Sequence, residues 1–216
     1  MPRPSQSILS RAAIARAALE LLDELGVEGL KMRTIADRLG VRGASLYHHI
    51  ASKEDLLDAA AELINDEIAL GPLADPGGVA GIAEYARGYR RVYLRYPHMI
   101  PLVARHRVES EKALRGYDAL LAALGGLGCT PAEAAEAAAA LDNLVLGSAL
   151  ETFTAGFTRA PRDYEPGYPA LAAALGAAAG EPGGLGGPGG LDDRGFERGL
   201  RLLLGGVQAG AGSPRP

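Results

Sequence analysis

The sequence predicts an all-α fold, and three kinds of observation support this prediction. Apolar residues recur every three or four positions along most of the 216-residue chain, which is the spacing of one helix face. Helix start and stop signals separate these segments. No segment has the convincing alternation of apolar and polar residues that a half-buried strand requires. We therefore expect helices and connecting loops throughout.

The first helix carries an apolar stripe and stops at Gly26, because glycine is favoured at helix C-termini. Two short helices follow, at about residues 32–39 and 43–50. A longer one begins after Ser52, with Asp55 three residues on as in a capping box, and Gly71-Pro72 ends it. The stripe of the first helix comprises Ile14, Ala17, Ala18, Leu21, Leu22 and Leu25.

The remaining helices are predicted at about residues 78–95, 109–124, 130–153 and 192–209. Thr130 is the clearest start, because Pro131 and Glu133 follow at the first and third helical positions. The stripe of that helix comprises Ala134, Ala138, Leu141, Val145, Ala149 and Phe153.

Composition predicts two flexible or disordered segments and a location in a reducing cellular compartment. Residues 158–191 are expected to be a flexible loop, since Gly176–Gly190 is more than half Gly and Pro, and residues 210–216 a disordered tail. Cys129 is the single cysteine, which excludes a disulfide framework and fits a reducing compartment. No apolar segment suits a signal peptide or a membrane span, so we expect a soluble, cytoplasmic protein without membrane partners.

The net charge of −4 conceals an asymmetry along the chain. Residues 1–53 carry eight Lys or Arg and five Asp or Glu, which gives +3 and leaves −7 for the remainder. A basic N-terminal piece on an acidic body suggests an anionic partner for one end, although a solubilising surface explains the same numbers. Enzyme motifs are absent: the Gly184-x-Gly186-x-x-Gly189 pattern follows no strand and is low-complexity sequence. We expect no catalytic residues and no cofactor.

The segment IADRLGVRGASLYHH, residues 35–49, has the spacing of a helix-turn-helix. Ala36 is small enough for a helix crossing, Gly40 tolerates positive φ, and Leu46 with Ile50 can anchor the second helix. A second helix of about two turns suits insertion into the DNA major groove. An ordinary helical hairpin with a solvated polar face is the alternative. The residues left outside, which can reach bases or phosphates, are Arg42, Ala44, Ser45, Tyr47, His48 and His49, with Lys53 at the start of the next helix.

The stretch LKMRTIADRLGVRGASLYHHIASKEDLLDAAAELI resembles the DNA-binding region of the tetracycline-repressor (TetR) family of bacterial regulators. Leu46-Tyr47-x-His49 followed by Lys53 is its most specific part, and LDNLVLGSALE, residues 141–151, resembles a body helix of the tetracycline-type branch. Lys31 departs from the family pattern, which has a capping Ser or Thr there. The resemblance implies DNA contacts at Arg33, Arg42, Gly43, Ala44, Ser45, Tyr47, His49 and Lys53.

The same resemblance implies a DNA-binding transcriptional regulator. Residues 1–51 would form the helix-turn-helix domain, and residues 52–209 a helical effector-binding and dimerisation domain. The protein would be a repressor that binds a palindromic operator in double-stranded DNA as a homodimer and is released by a small-molecule effector. The alternative interpretation is a helical adaptor or dimerisation module without sequence-specific DNA binding. The alanine-rich helix after Thr130 and the Phe196–Val207 face would build half of an intermolecular four-helix bundle, or else pack only within one subunit.

Four tyrosines, Tyr85, Tyr89, Tyr93 and Tyr96, share one helix face and line either the core or an effector pocket. The tetracycline-type branch holds magnesium partly through a histidine, and Val103 stands at that position here, so we expect no metal. The effector should therefore differ from magnesium–tetracycline and be larger or more apolar. The pocket is expected among Ile64, Tyr89, Tyr93, Leu102, His106, Tyr117, Asn143 and Leu146.

Overall fold

The structure, a computed structural model, describes residues 9–75, 77–103, 110–150 and 153–211. All regular secondary structure in these ranges is helical, which confirms the predicted class. None of the helices in this part of the chain has the length and hydropathy needed to cross a bilayer. The α-helices are α1 (Arg11–Gly29), α2 (Met32–Leu39), α3 (Gly43–Leu46), α4 (Lys53–Asp66), α5 (Gly71–Ala74), α6 (Gly78–Tyr93), α7 (Ile100–Val103), α8 (Glu111–Gly126), α9 (Pro131–Ala149), α10 (Pro169–Gly180) and α11 (Leu191–Ala211).

The chain divides into two compact units. One contains the described residues of Met1–Ala69 and Val92–Asp118, and the other those of Leu70–Arg91 and Ala119–Pro216. This division follows packing contacts. The functional boundary predicted between residues 51 and 52 stays a prediction.

Helix α1 is the centre of the first unit and packs against α2 and α4. The Ser10 hydroxyl caps it by accepting the Ala13 N–H at 3.1 Å. At Gly26, φ of 67° breaks the helical geometry, as expected of this glycine. Leu25, which we placed in the apolar stripe, is 53% exposed, because the buried stripe ends one turn before the break.

At the start of α4 the predicted Ser52 cap is confirmed, but the second hydrogen bond of the predicted capping box has a different donor. The Ser52 hydroxyl accepts the Asp55 N–H at 3.1 Å, but the Asp55 carboxylate accepts from the Ala51 N–H at 2.6 Å rather than from Ser52. Helix α4 ends at Asp66, earlier than expected. Gly71-Pro72 begins α5 instead of ending α4, because proline lacks the N–H that a first helical turn leaves unpaired.

In the second unit α9 packs against α11. The capping box is formed: the Thr130 hydroxyl accepts the Glu133 N–H at 3.3 Å, and the Glu133 carboxylate accepts the Thr130 N–H at 2.7 Å. The predicted stripe of α9 is buried as far as Ala149. Phe153 was wrongly included in it, since the helix ends before this residue and its side chain is 56% exposed. Of the predicted tail, residues 210 and 211 belong to α11, and residues 212–216 lie outside the described residues.

Residues 158–191, predicted to be a flexible loop, contain regular secondary structure, and their flexibility stays a prediction. Pro161–Tyr164 is a 3-10 helix and residues 169–180 form α10. Alanine and leucine, which dominate α10, favour the helix. Tyr164, Ala172 and Leu175 form a small buried cluster of their own.

Residues 181–190 do hold the turns that their glycine content predicts, but one side chain fixes them. The Arg194 guanidinium donates four hydrogen bonds to backbone carbonyls. Nη1 bonds to Pro182 at 2.6 Å and Gly189 at 2.9 Å, and Nη2 bonds to Ala178 and Gly184 at 3.0 Å each. No spacing rule in the sequence identifies Arg194 as the residue that makes them.

Candidate nucleic-acid interface and effector-binding residues

The turn of the helix-turn-helix has the geometry that its residues predict. Gly40 ends α2 with φ of 66°, a left-handed conformation that glycine adopts without strain. Its N–H donates to the Asp37 carbonyl at 3.2 Å, and the Val41 N–H donates to the Ala36 carbonyl at 3.0 Å. Ala36 is only 3% exposed, as expected of a residue at a helix crossing.

The segment after the turn, residues 43–50 (the recognition segment), is held by two buried anchors. Leu46 and Ile50 are both fully buried, and the Ile50 N–H donates to the Leu46 carbonyl at 2.9 Å. Helix α3 is shorter than predicted: it ends at Leu46, and residues 47–49 form a turn.

The side chains around these anchors face outward. Tyr47 is 57% exposed, and Arg33 is almost fully exposed. Gly43 and Ser45 are half-buried. Contact of each residue with DNA stays a prediction, but the exposed surface is available to a partner. Its other exposed members are Arg42, Ala44, His48, His49 and Lys53.

The cations of the N-terminal piece fall into two groups. Arg38 makes a bidentate pair with Glu24, at 3.1 and 2.5 Å, and this hydrogen bonding raises the pKa of Arg38 and lowers that of Glu24. Arg11 is paired with Asp55. By contrast Arg42 and Lys53 have no carboxylate within 4.0 Å in the described parts of the chain. The local surface therefore presents free positive charge on the recognition segment itself.

Lys31 precedes α2 and makes no side-chain capping bond. This agrees with the expectation that lysine cannot accept from the backbone N–H groups of the first turn. Helix α2 nevertheless begins at Met32, where it was predicted to begin.

The predicted effector residues differ in burial. In the first unit Ile64 and Tyr93 are buried, and Leu102 and Tyr117 are half-buried. In the second unit Tyr89 and Leu146 are half-buried, and Asn143 is exposed. His106 lies outside the described residues. The pocket as a whole stays a prediction.

Two polar residues that sequence reasoning missed connect the helices of the second unit. The Tyr89 hydroxyl donates to the Asp142 carboxylate at 2.7 Å, so this hydroxyl has a protein partner without an effector. Arg90 is buried, donates to Ser148 at 3.1 Å and Asp193 at 2.7 Å, and lies 4.8 Å from the Phe196 ring centre. Polarity in an apolar helix was the available signal for Asp142, but of these two neighbours only Asn143 is among the predicted pocket residues.

Asn143 lies elsewhere, on an open groove of ≈ 500 Å³ along α9 and α11. Ser148, Phe153 and Phe196 also line this groove. None of the four tyrosines is among the described residues that line this groove.

Comparison with known proteins assigns both parts of the chain. Residues 14–65 match the family model "Bacterial regulatory proteins, tetR family", and residues 79–210 match "Tetracyclin repressor-like, C-terminal domain". An HTH-type transcriptional regulator of Saccharopolyspora erythraea is 32% identical, over 96% of this chain and 88% of that protein. The class C tetracycline repressor of Escherichia coli is 33% identical, over 93% of this chain and 91% of that protein.

The fold agrees with solved structures as well. The structure of ActR from Streptomyces coelicolor in complex with actinorhodin superposes with a TM-score of 0.76 at 25% identity, over 96% of this chain and 99% of that one. TetR-family regulators bind operator DNA as dimers, respond to small-molecule ligands and are not enzymes. The chain belongs to the tetR family of bacterial regulatory proteins and is a DNA-binding transcriptional regulator.

Proposed function

We propose that this regulator is a repressor that binds a palindromic operator through the outward face of residues 42–53, and that a large apolar effector releases it without a metal. One observation carries the DNA part. Leu46 and Ile50 are fully buried, and the three side chains between them, Tyr47, His48 and His49, are exposed. A segment so anchored can present a fixed set of side chains to a groove.

The roles of these side chains follow from their chemistry. Arg42 can bond to guanine or phosphate, and Ser45 can reach either base or phosphate. Tyr47, His48 and His49 can donate to phosphate oxygens, and Lys53 adds a free cation. Arg33 contributes a further exposed cation from α2, and Gly43 and Ala44 permit close approach of the backbone.

The test begins with a duplex that the wild-type protein selects from a random-sequence library. Tyr47→Ala and Lys53→Ala should both weaken binding, and the loss of one phosphate contact in Lys53→Ala should reduce the slope of log K against log salt by about 1. Arg115→Ala is the matched control, because it removes a cation from an exposed site on α8. If the selection enriches no sequence, the proposal is wrong and the alternative interpretation, a helical adaptor without sequence-specific DNA binding, replaces it.

The effector part rests on the apolar and aromatic character of the predicted pocket residues. Val103, which is half-buried on α7, cannot ligate a metal at the position where the tetracycline-type branch has its histidine. The relatives differ in ligand: one is named a tetracycline repressor, and ActR is described in complex with actinorhodin. The fold thus accepts more than one ligand, and we propose a bulky apolar compound for this chain.

A thermal-shift screen of such compounds, each with magnesium or with a chelator, tests this part. A true effector at 100 times its dissociation constant should stabilise the fold by about 2.7 kcal/mol and should release the selected duplex. Insensitivity to the chelator is expected. Release by tetracycline only when magnesium is present would contradict the metal-free effector. Because the operator is bacterial DNA, we further propose that the protein acts in the cytoplasm, which cell fractionation checks.

A further inference from the structure

The turn between α3 and α4 depends on one carboxylate. The Asp55 Oδ2 atom accepts the Ala51 N–H at 2.6 Å, and the Asp55 N–H donates to the Ser52 hydroxyl at 3.1 Å. Asp55 therefore holds both residues of the turn, one through its side chain and one through its backbone. Immediately before the turn, Ile50 is fully buried. The conformation of residues 51–53 is thus fixed from both ends.

A carboxylate at this position stabilises the first turn of α4, but it also lies close to the surface that is proposed to bind phosphate. Lys53, two residues earlier, belongs to the proposed phosphate-binding face, where a carboxylate would repel DNA. Arg11, from the start of α1, donates to the other Asp55 oxygen, Oδ1. The bond from Arg11, followed by that from the Ala51 N–H, lowers the pKa of Asp55, which keeps the acceptor ionised. Its charge is meanwhile compensated within the protein.

We propose that Asp55 is a positioning residue for DNA recognition and that Arg11 neutralises Asp55 rather than contacting DNA. Asp55 sets the turn that presents Tyr47, His49 and Lys53 in one register. The inference rests on the recognition face proposed above. It goes beyond that face because neither residue belongs to it.

The experiment compares affinities for two duplexes, the selected one and a scrambled one of equal length and composition. Asp55→Ala removes the acceptor, whereas Asp55→Asn keeps an oxygen that can accept the Ala51 N–H. Asp58→Asn is the matched control, because it removes a charge one turn further along α4. Circular dichroism gives the folded fraction of each variant. Tyr47→Ala is measured in parallel, so that failure of the recognition face itself is seen separately.

Asp55→Ala should lower the ratio of the affinity for the selected duplex to that for the scrambled duplex about tenfold, the effect of about 1.4 kcal/mol, while the unpaired Arg11 charge raises both affinities alike. Asp55→Asn should lose less than Asp55→Ala, and Asp58→Asn should keep the wild-type ratio of the two affinities. A merely structural defect would lower both affinities together. An unchanged ratio in folded Asp55→Ala, with Tyr47→Ala impaired, overturns the role of Asp55.

Arg11 is tested by a double variant. If Asp55→Ala does not fold, the ratio of the two affinities in Asp55→Asn carries the test of Asp55, and an unchanged ratio there overturns its role. Arg11→Gln leaves the Asp55 charge uncompensated and should weaken binding to both duplexes. Adding Asp55→Asn removes that charge, so Arg11→Gln/Asp55→Asn should bind more tightly than Arg11→Gln alone. If the double variant binds the scrambled duplex no better than Arg11→Gln does, an uncompensated Asp55 charge is not what weakens binding, and the proposed neutralisation is refuted.

Discussion

Replacement of Arg194 by alanine should loosen residues 181–190 and leave the helices of the second unit folded. The guanidinium makes four hydrogen bonds to carbonyls, and their environments differ. The two bonds from Nη1, to Pro182 and Gly189, are exposed, so water can replace them. The two from Nη2, to Ala178 and Gly184, are partly buried. At about 1 kcal/mol for each partly buried bond, the local loss is about 2 kcal/mol.

Hydrogen exchange measures this loss at individual amides. The N–H groups of Gly184, Gly190 and Leu191 donate to carbonyls within the segment, and that of Gly189 donates to Asp193 at 2.7 Å. A local destabilisation of about 2 kcal/mol corresponds to exchange about 30-fold faster at these amides, since 1.36 kcal/mol is a factor of ten. Amides inside α9 should keep their wild-type rates.

Two further variants control the experiment. Arg198→Ala removes an exposed arginine one turn further along α11 and should not alter exchange at residues 184–191. Arg194→Lys supplies a cation without the planar fork of donors, so its exchange should lie between wild type and alanine. The reasoning fails if Arg194→Ala exchanges like wild type at residues 184–191. It fails equally if protection is lost throughout α9 and α11, because Arg194 would then hold the whole unit.

Three other predictions concern stability. Gly40→Val places a β-branched residue at φ of 66°, and the strain should lower the free energy of unfolding by at least about 1 kcal/mol. Urea denaturation measures this change, and a midpoint of unfolding equal to that of the wild type would contradict it. In α6, Gly81→Ala would place Cβ 2.0 Å from the Pro72 carbonyl oxygen and should lower the melting temperature. Gly88→Ala would meet only an Arg91 nitrogen at 3.8 Å and should raise the melting temperature, because alanine favours a helix over glycine by about 1 kcal/mol. A reversed order of the two melting temperatures would refute the close approach at Gly81. Burial raises the pKa of Asp193, but hydrogen bonds from Arg90 and Gly189 outweigh burial and lower this pKa overall. The ionised Asp193 carboxylate therefore stabilises the fold fully above its unfolded pKa of about 3.9, and this stabilisation is lost as the pH falls through the lower folded pKa. Asp193→Asn should consequently flatten the acid-induced fall in melting temperature below about pH 4, and an unchanged profile would exclude this contribution.

Local signals were enough to predict two helix caps, the turn after α2 and the two buried anchors that follow it. Thr130 and Ser52 cap their helices because a hydroxyl reaches an N–H only three residues away. Gly40 ends α2 for an equally local reason, since it adopts positive φ without strain. Leu46 and Ile50 could be predicted as anchors because a four-residue interval returns to the same helix face. The sequence by itself therefore determined the helical class, most helix positions and which side chains near Leu46 and Ile50 face outward.

Only the tertiary structure decided which polar groups meet. Arg11 and Asp55 are separated by 44 residues and Tyr89 and Asp142 by 53, so no periodicity links them. For the same reason the sequence could not separate the paired cations Arg11 and Arg38 from the free Arg42 and Lys53, nor find the arginine that orders residues 181–190. A helical repeat specifies which face of a helix is buried, but the helix that covers this face, and the register in which it lies, are fixed only when the whole core packs.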